Sequence, residues 1–380
     1  MMNLTSKLPH VGTTIFTVMS KLANEQNAIN LSQGFPGFVG DKHLQDLVAK
    51  HMNEGKNQYA PMPGVIELRE QLCTKINGLY NSNYNAEEIT ITAGATQAIY
   101  TAITTVVNKG DEVIVFDPAY DCYEPAIELN GGKTIHLQLK HPNYSIDFEA
   151  LEAAINNRTR LIIINSPHNP TGSLISGEQM LKLEALLKDT NIFLISDEVY
   201  EHITYDDKPH ESASKYTYLK ERSFIISSFG KTFHNTGWKM GYCTAPKYLM
   251  VEFKKVHQFL VFSCNTPMQY ALAEYLKDEI KYLELPSFYQ KKRDIFRGLI
   301  KNSRFKLLDC NGTYFQLLDY SNITDEKDVD FAIRLTKEFK VASIPISVFY
   351  NNKEDNKVLR FCFAKQEETL IKAAEVLCKI

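Results

Sequence analysis

Phe224-Ile225-Ile226-Ser227-Ser228-Phe229-Gly230-Lys231-Thr232-Phe233-His234-Asn235-Thr236-Gly237-Trp238-Lys239-Met240-Gly241-Tyr242 decides how the chain is read. The apolar run at its start has the pattern of a buried strand. That strand delivers a turn of small residues, then Lys231 and, eight positions later, a second cation, Lys239. An amine that must form an imine needs a rigid element end and small neighbours, so that a planar aldehyde can reach it. It must also lose its proton near neutral pH, and a nearby positive charge helps by lowering its pKa. The second cation suits a phosphate. A pair of surface lysines beside a loop is the plain alternative, and the company these residues keep along the chain argues against it.

The chain has 380 residues, 44% hydrophobic and 11% aromatic, enough to bury sizeable cores in one large and one small domain. A net charge of -3 and a pI near 6.4, with no long basic run, give no polyanion-binding signature, so nucleic acid is not an expected partner. Seven cysteines, an odd and scattered set without a CxxC pair, point to reduced thiols rather than disulfides or zinc, and no metal is expected. Residues 1–10 lack the apolar core of a leader, and no apolar run reaches about 18 residues. The expectation is a cytoplasmic protein without membrane association.

Candidate strands at 89–92, 113–116, 134–138, 161–165, 192–196, 224–227 and 242–245 alternate with helical patterns at 96–107, 147–155 and 177–187. Alternation of this kind predicts an α/β fold, a mostly parallel sheet sandwiched by helices. Several strands are apolar on successive residues, as covered faces require. After about Tyr270 the pattern changes to one long charged helical segment, 271–302. Strands at 305–308 and 314–319, a helix at 329–339, a strand at 358–363 and a helix at 367–377 follow, reading as a smaller α/β domain. The division expected is an N-terminal segment (1–44) packing on the small domain, a large domain (45–275) and the small domain (276–380).

Further constellations sit at predicted strand ends. Thr92-Ala93-Gly94-Ala95-Thr96-Gln97 joins a strand to a helix, where exposed N–H groups favour an anion. Asp117-Pro118-Ala119-Tyr120-Asp121-Cys122-Tyr123 offers an aromatic above the same sheet edge. Asn165-Ser166-Pro167-His168-Asn169-Pro170-Thr171-Gly172 reads as a fixed, sharply bent loop in which Asn169-Pro170 could be cis. Ser196-Asp197-Glu198-Val199-Tyr200 ends a buried strand on a carboxylate, which is costly unless a cation or solvent reaches it. Leu359-Arg360-Phe361-Cys362-Phe363 places one arginine in an apolar strand, to meet a ligand carboxylate or a structural one. Together these residues make the inventory for pyridoxal 5′-phosphate acting on an amino acid.

The chain resembles the fold-type I, class I/II aminotransferases over nearly its whole length. The matching segments include Asn30-Leu31-Ser32-Gln33-Gly34-Phe35-Pro36, Asn57-Gln58-Tyr59-Ala60-Pro61, His168-Asn169-Pro170-Thr171-Gly172, Asp197-Glu198-Val199-Tyr200 and Arg360-Phe361-Cys362-Phe363-Ala364-Lys365. Within that family it is similar to the branch of methionine aminotransferases, kynurenine aminotransferases and glutamine transaminases. Bacterial methionine aminotransferases are the nearest, through Gly12-Thr13-Thr14-Ile15-Phe16 and the lysine segment. The resemblance implies a homodimer with shared active sites and ping-pong transfer from an amino acid to a 2-oxo acid. It implies that Lys231 bonds the cofactor and moves a proton, that Asp197 holds the pyridinium nitrogen, and that Tyr200 and Asn169 hold the 3′-oxygen. Tyr120 would stack on the ring. Ala95, Thr96, Ser228 and Lys239 would bind phosphate, with Tyr59 reaching in from the neighbouring subunit; many family members have arginine where Lys239 stands. Arg360, Asn169 and the Gly34 backbone would hold the substrate carboxylate. Phe16, Phe35 and the partner's Phe262 would wall the side-chain pocket. The segment 256–266 contains no arginine for a distal carboxylate, so methionine is the expected donor, with aromatic and other neutral amino acids weaker. Rival outcomes are β-elimination from cysteine conjugates on the same scaffold, and a non-enzymatic regulator. About 30 residues before the Ser32 loop are not expected to hold the regulator's added DNA-binding domain.

Overall fold

The computed structural model describes residues 4–380. Its central sheet has seven strands, in the spatial order Ile89–Thr92, Gly241–Thr244, Ser223–Ser228, Phe193–Asp197, Thr159–Asn165, Glu112–Asp117 and Lys133–Gln138. All neighbours are parallel except Gly241–Thr244, which runs antiparallel to both of its own. Period-two geometry explains the unbroken apolar runs. Leu161 and Ile163 enter one core with Ile99, Ile103, Phe224 and Phe253. Ile162 and Ile164, from the same strand, enter the opposite core with Leu68, Leu72, Met180 and Leu183. Both faces of this strand are covered, so alternation with polar residues is not needed.

Local signals set the helix starts. Ser176 and Gln179 form a capping box at the start of Gly177–Leu187. The expected helix over 271–302 is instead three, Thr266–Tyr275, Ile280–Leu283 and Leu285–Ile300. Pro286 stands in the first turn of the last, where its missing N–H costs nothing, whereas inside a continuous helix it would break the ladder. Asp278 accepts from the Ile280 N–H and marks the earlier interruption.

A second sheet has the order Ile344–Pro345, Val358–Cys362, Phe315–Asp319, Lys306–Leu307, all antiparallel. Ile29–Asn30 pairs in parallel with Val341–Ala342, tying the beginning of the chain to this C-terminal region. Among the described residues no helix is long and apolar enough to cross a membrane.

Candidate active site

The carboxyl ends of the parallel strands converge on two adjoining spaces. The inner cavity, about 130 Å³, is lined by Gly94, Ala95, Thr96, Tyr120, Asn169, Asp197, Tyr200, Ser228, Lys231 and Lys239. The outer cleft, about 700 Å³, shares Tyr120, Asn169, Tyr200 and Lys231 with it and adds Phe16, Gln33, Gly34, Phe35, Phe315 and Arg360. Thus all the residues singled out from sequence come together except Tyr59 and Phe262. Those two lie on the surface, 83% and 46% exposed, with their rings edge to face at 5.2 Å.

The inner cavity is built for an anion. Gly94 adopts φ +79°, a conformation that suits glycine, and the helix Ala95–Val106 that follows has no side-chain cap. Its first N–H groups are therefore available at the positive end of the helix dipole. A Cβ on Gly94 would lie 3.6 Å from the Lys239 Nζ, so the cation sits against this turn. Gly241 lets the sheet close there, since a Cβ would approach the Ser227 carbonyl to 2.8 Å.

Asp197 is buried at the end of its strand, and no cation lies within ion-pair distance among the described residues. Burial pushes its carboxyl up to about 6, opposed by the hydroxyl of Tyr123, which donates to Oδ2 at 2.6 Å. Asn165 fixes the neighbouring backbone: its Nδ2 donates to the Asp197 carbonyl and its Oδ1 accepts from the Asn169 N–H, both at 2.9 Å. The Asn169–Pro170 bond is cis.

Lys231 donates to the Gly34 carbonyl at 3.1 Å and to the Tyr314 hydroxyl at 3.2 Å. Its amine is brought down to about 8, chiefly by burial. Cys362 and Asp197 oppose that shift while Arg360 and Lys239 add to it. The neighbouring cation expected from sequence therefore contributes, but desolvation is the larger cause.

Arg360 is 1% exposed. Nη1 donates to Asn169 Oδ1 at 2.7 Å and Nη2 to the Ser32 carbonyl at 3.1 Å, while Nε has no partner. The guanidinium lies 3.9 Å from the Phe315 ring centroid. No carboxylate pairs with it among the described residues, so the structural salt bridge that sequence left open is absent there. Tyr123, Tyr314 and Phe315 are the site residues that sequence reasoning missed. Tyr123 stood inside a quoted motif without a role, and Tyr314 and Phe315 carried no signal beyond opening a strand.

The aminotransferase class I and II family model matches residues 26–377. A methionine aminotransferase of Escherichia coli K12 is 50% identical over 374 residues, covering 98% of this chain and 97% of that protein. A kynurenine–oxoglutarate transaminase of Dictyostelium discoideum is 34% identical over 410 residues, covering 97% and 94%. Among solved structures, an Escherichia coli protein whose structure and reactivity identify a methionine aminotransferase function superposes with a TM-score of 0.98. It is 49% identical and each chain is covered over 100% of its length.

Proposed function

We propose that this chain, which belongs to the class I and II aminotransferases, transfers the amino group of methionine to a 2-oxo acid with pyridoxal 5′-phosphate as cofactor. Aromatic and other neutral amino acids, kynurenine among them, are weaker donors. The observation that carries this reading is Arg360. A buried guanidinium with an unpartnered Nε and, among the described residues, no carboxylate paired with it, opening on the cleft that holds Lys231, is a socket for a ligand carboxylate.

The residues present fit the cofactor. Asp197, buried without a cation, matches a protonated ring nitrogen, and the uncapped helix at Ala95 and Thr96, with Ser228 and Lys239, matches a phosphate. Tyr120 would lie on the ring, and Tyr200 and Asn169 beside its 3′-oxygen. When bound, the cofactor supplies an aldehyde for the amino group and a ring that takes up the electron pair left when Cα loses its proton. Arg360, Asn169 and the Gly34 backbone hold the substrate carboxylate and so aim Cα at Lys231. The Lys231 Nζ, near neutrality because it is desolvated, takes the Cα proton.

Phe16, Phe35 and Phe315 line the cleft, and its outer cation, Lys21, is already paired with Glu25 at 3.8 Å. A thioether gains about 0.3–1.5 kcal/mol from sulfur–aromatic contact, whereas a second carboxylate loses several kcal/mol of hydration with nothing to receive it. The surface rings of Tyr59, Phe259 and Phe262 fit a homodimer in which the partner subunit completes each site with its Tyr59 and Phe262. The division into 1–44, 45–275 and 276–380, and a cytoplasmic location, belong to the same reading.

The test is the half-reaction of purified holoenzyme with single amino acids, followed by the cofactor's absorbance. Methionine should exceed aspartate in kcat/KM by at least about 100-fold, the equivalent of roughly 2.7 kcal/mol. Parity, or a preference for aspartate, overturns the donor while leaving the family intact.

A further inference from the structure

Tyr314 stands where three separate stretches of chain meet: the loop at Gly34, the one-turn helix Phe229–Thr232 that carries Lys231, and the start of the strand Phe315–Asp319. Its hydroxyl is 2.7 Å from the Gly34 carbonyl oxygen, and the Lys231 Nζ is 3.1 Å from that oxygen and 3.2 Å from the hydroxyl. The three atoms close a triangle. The distances select one assignment of its protons. A phenol has a single proton, and burial holds this one well above the ordinary tyrosine range, so it stays on the oxygen. The carbonyl can only accept, and the shortest edge gives it the phenol's proton. Toward Lys231 the Tyr314 oxygen can therefore only accept as well.

We infer that Tyr314 is a positioning residue for Lys231: with the Gly34 carbonyl it forms a dock that takes both N–H groups of the neutral amine and leaves the lone pair unengaged. A donor in place of this acceptor would cap the lone pair and remove the base. The ring cannot swing aside, because Tyr200 meets it at 5.3 Å, Phe315 at 4.9 Å and Tyr289 at 5.6 Å between centroids. The other charged groups that reach the amine are Asp197, Arg360 and Lys239, and none of them hydrogen-bonds to Nζ. One wall of the dock is the Gly34 carbonyl, so the stretch that carries Gly34 holds the amine together with Tyr314.

This inference rests on the aminotransferase reading, and its test separates the two. Tyr314→Phe deletes one oxygen from a fully buried ring. With methionine, kcat should fall about 10- to 100-fold through misaimed proton transfer, with KM within about twofold of wild type. The kinetic isotope effect with α-deuterated methionine should rise. In apoprotein, Lys231 can be methylated with formaldehyde and borohydride across pH and mapped by mass spectrometry. Loss of an acceptor that also serves the ammonium form should move the labelling midpoint down by roughly half a pH unit. An unchanged kcat, a rise in KM alone, or an unmoved midpoint overturns the dock, the second assigning Tyr314 to loop seating only. A wild-type protein that does not transaminate fails the functional reading, while the apoprotein labelling still decides the dock.

Discussion

Glu201 and Arg360 are both buried charges, and the structure treats them in opposite ways. Glu201 Oε1 accepts from Lys75 at 2.7 Å and from the Tyr242 hydroxyl at 3.0 Å, and Oε2 accepts from the Tyr80 hydroxyl at 2.6 Å. Burial alone would raise its pKa, yet Lys75 and these donors carry it well below the carboxylate range. Its neighbour Glu198 is saturated too, by Ser196, Ala213 and His210. Arg360 spends two donors on neutral oxygens and leaves Nε with none. Asp197 and Lys231 likewise lack an ion-pair partner among the described residues. One short segment therefore divides its labour: Glu198 and Glu201 anchor it beneath, while Asp197 and Tyr200 face the cavity. Saturated charges hold the fold, and charges with capacity left over mark where a ligand belongs.

Five substitutions probe this contrast. Lys231→Ala should remain folded and lose turnover by about 10²–10⁴ or more, since it removes the proposed base as well as the amine. Steady-state kinetics beside a thermal melt checks both halves, and turnover within about tenfold of wild type breaks the assignment. Lys75→Met should do the reverse, costing about 3–5 kcal/mol of stability by stranding Glu201. Urea unfolding reads it, and a loss below about 1 kcal/mol would show that the saturated cluster is not an anchor. Arg360→Met should cost about 2–5 kcal/mol in kcat/KM, with unfolding free energy equal to or above wild type, because an incompletely paired buried cation is removed. A loss of stability as large as that of Lys75→Met would erase the distinction between the regions.

The smallest effect is a pH slope in the apoprotein. Lys231 titrates at about 8 in the folded chain against an ordinary 10.5. Between those values the unfolded chain binds a proton that the native chain does not, so stability rises with pH. Asp197 is displaced the other way, to about 6 from 3.8, so in that window the native chain holds the extra proton and stability falls as pH rises. Stability differences between wild type and Lys231→Met, and between wild type and Asp197→Asn, should show slopes of opposite sign in the two windows. A flat difference curve for Lys231→Met would mean that its amine is not desolvated.

Much of the fold was legible because its signals are local. The strands of the central sheet are short apolar runs, and Gly177–Leu187 begins at a capping box and ends where its apolar spacing ends. The segment after Tyr270 was misread because charged residues at helical spacing continue across Asp278 and Pro286, and periodicity does not register such breaks. The site was legible to the extent that its chemistry sits at strand ends. Tyr314 and Tyr123 escaped because an aromatic flanking a strand looks the same whether it fills a core or donates a hydrogen bond.

By itself, then, the sequence determined the alternating α/β order, the strand-end segments that carry Asp197, Asn169 and Lys231, the lone arginine in an apolar strand, and the family. Tertiary structure alone decided the antiparallel placement of Gly241–Thr244, the pairing of Lys231 with Tyr314 across 83 residues, and of Tyr123 with Asp197 across 74. It also decided that Arg360 meets Asn169, 191 residues away, and keeps Nε unpartnered. The physical reason is that helix and strand preferences act over a few residues, whereas desolvation and hydrogen-bond saturation depend on which distant segments close around a group. A lysine at about 8 and an aspartate at about 6 are properties of the enclosure, and the enclosure exists only once the chain has folded.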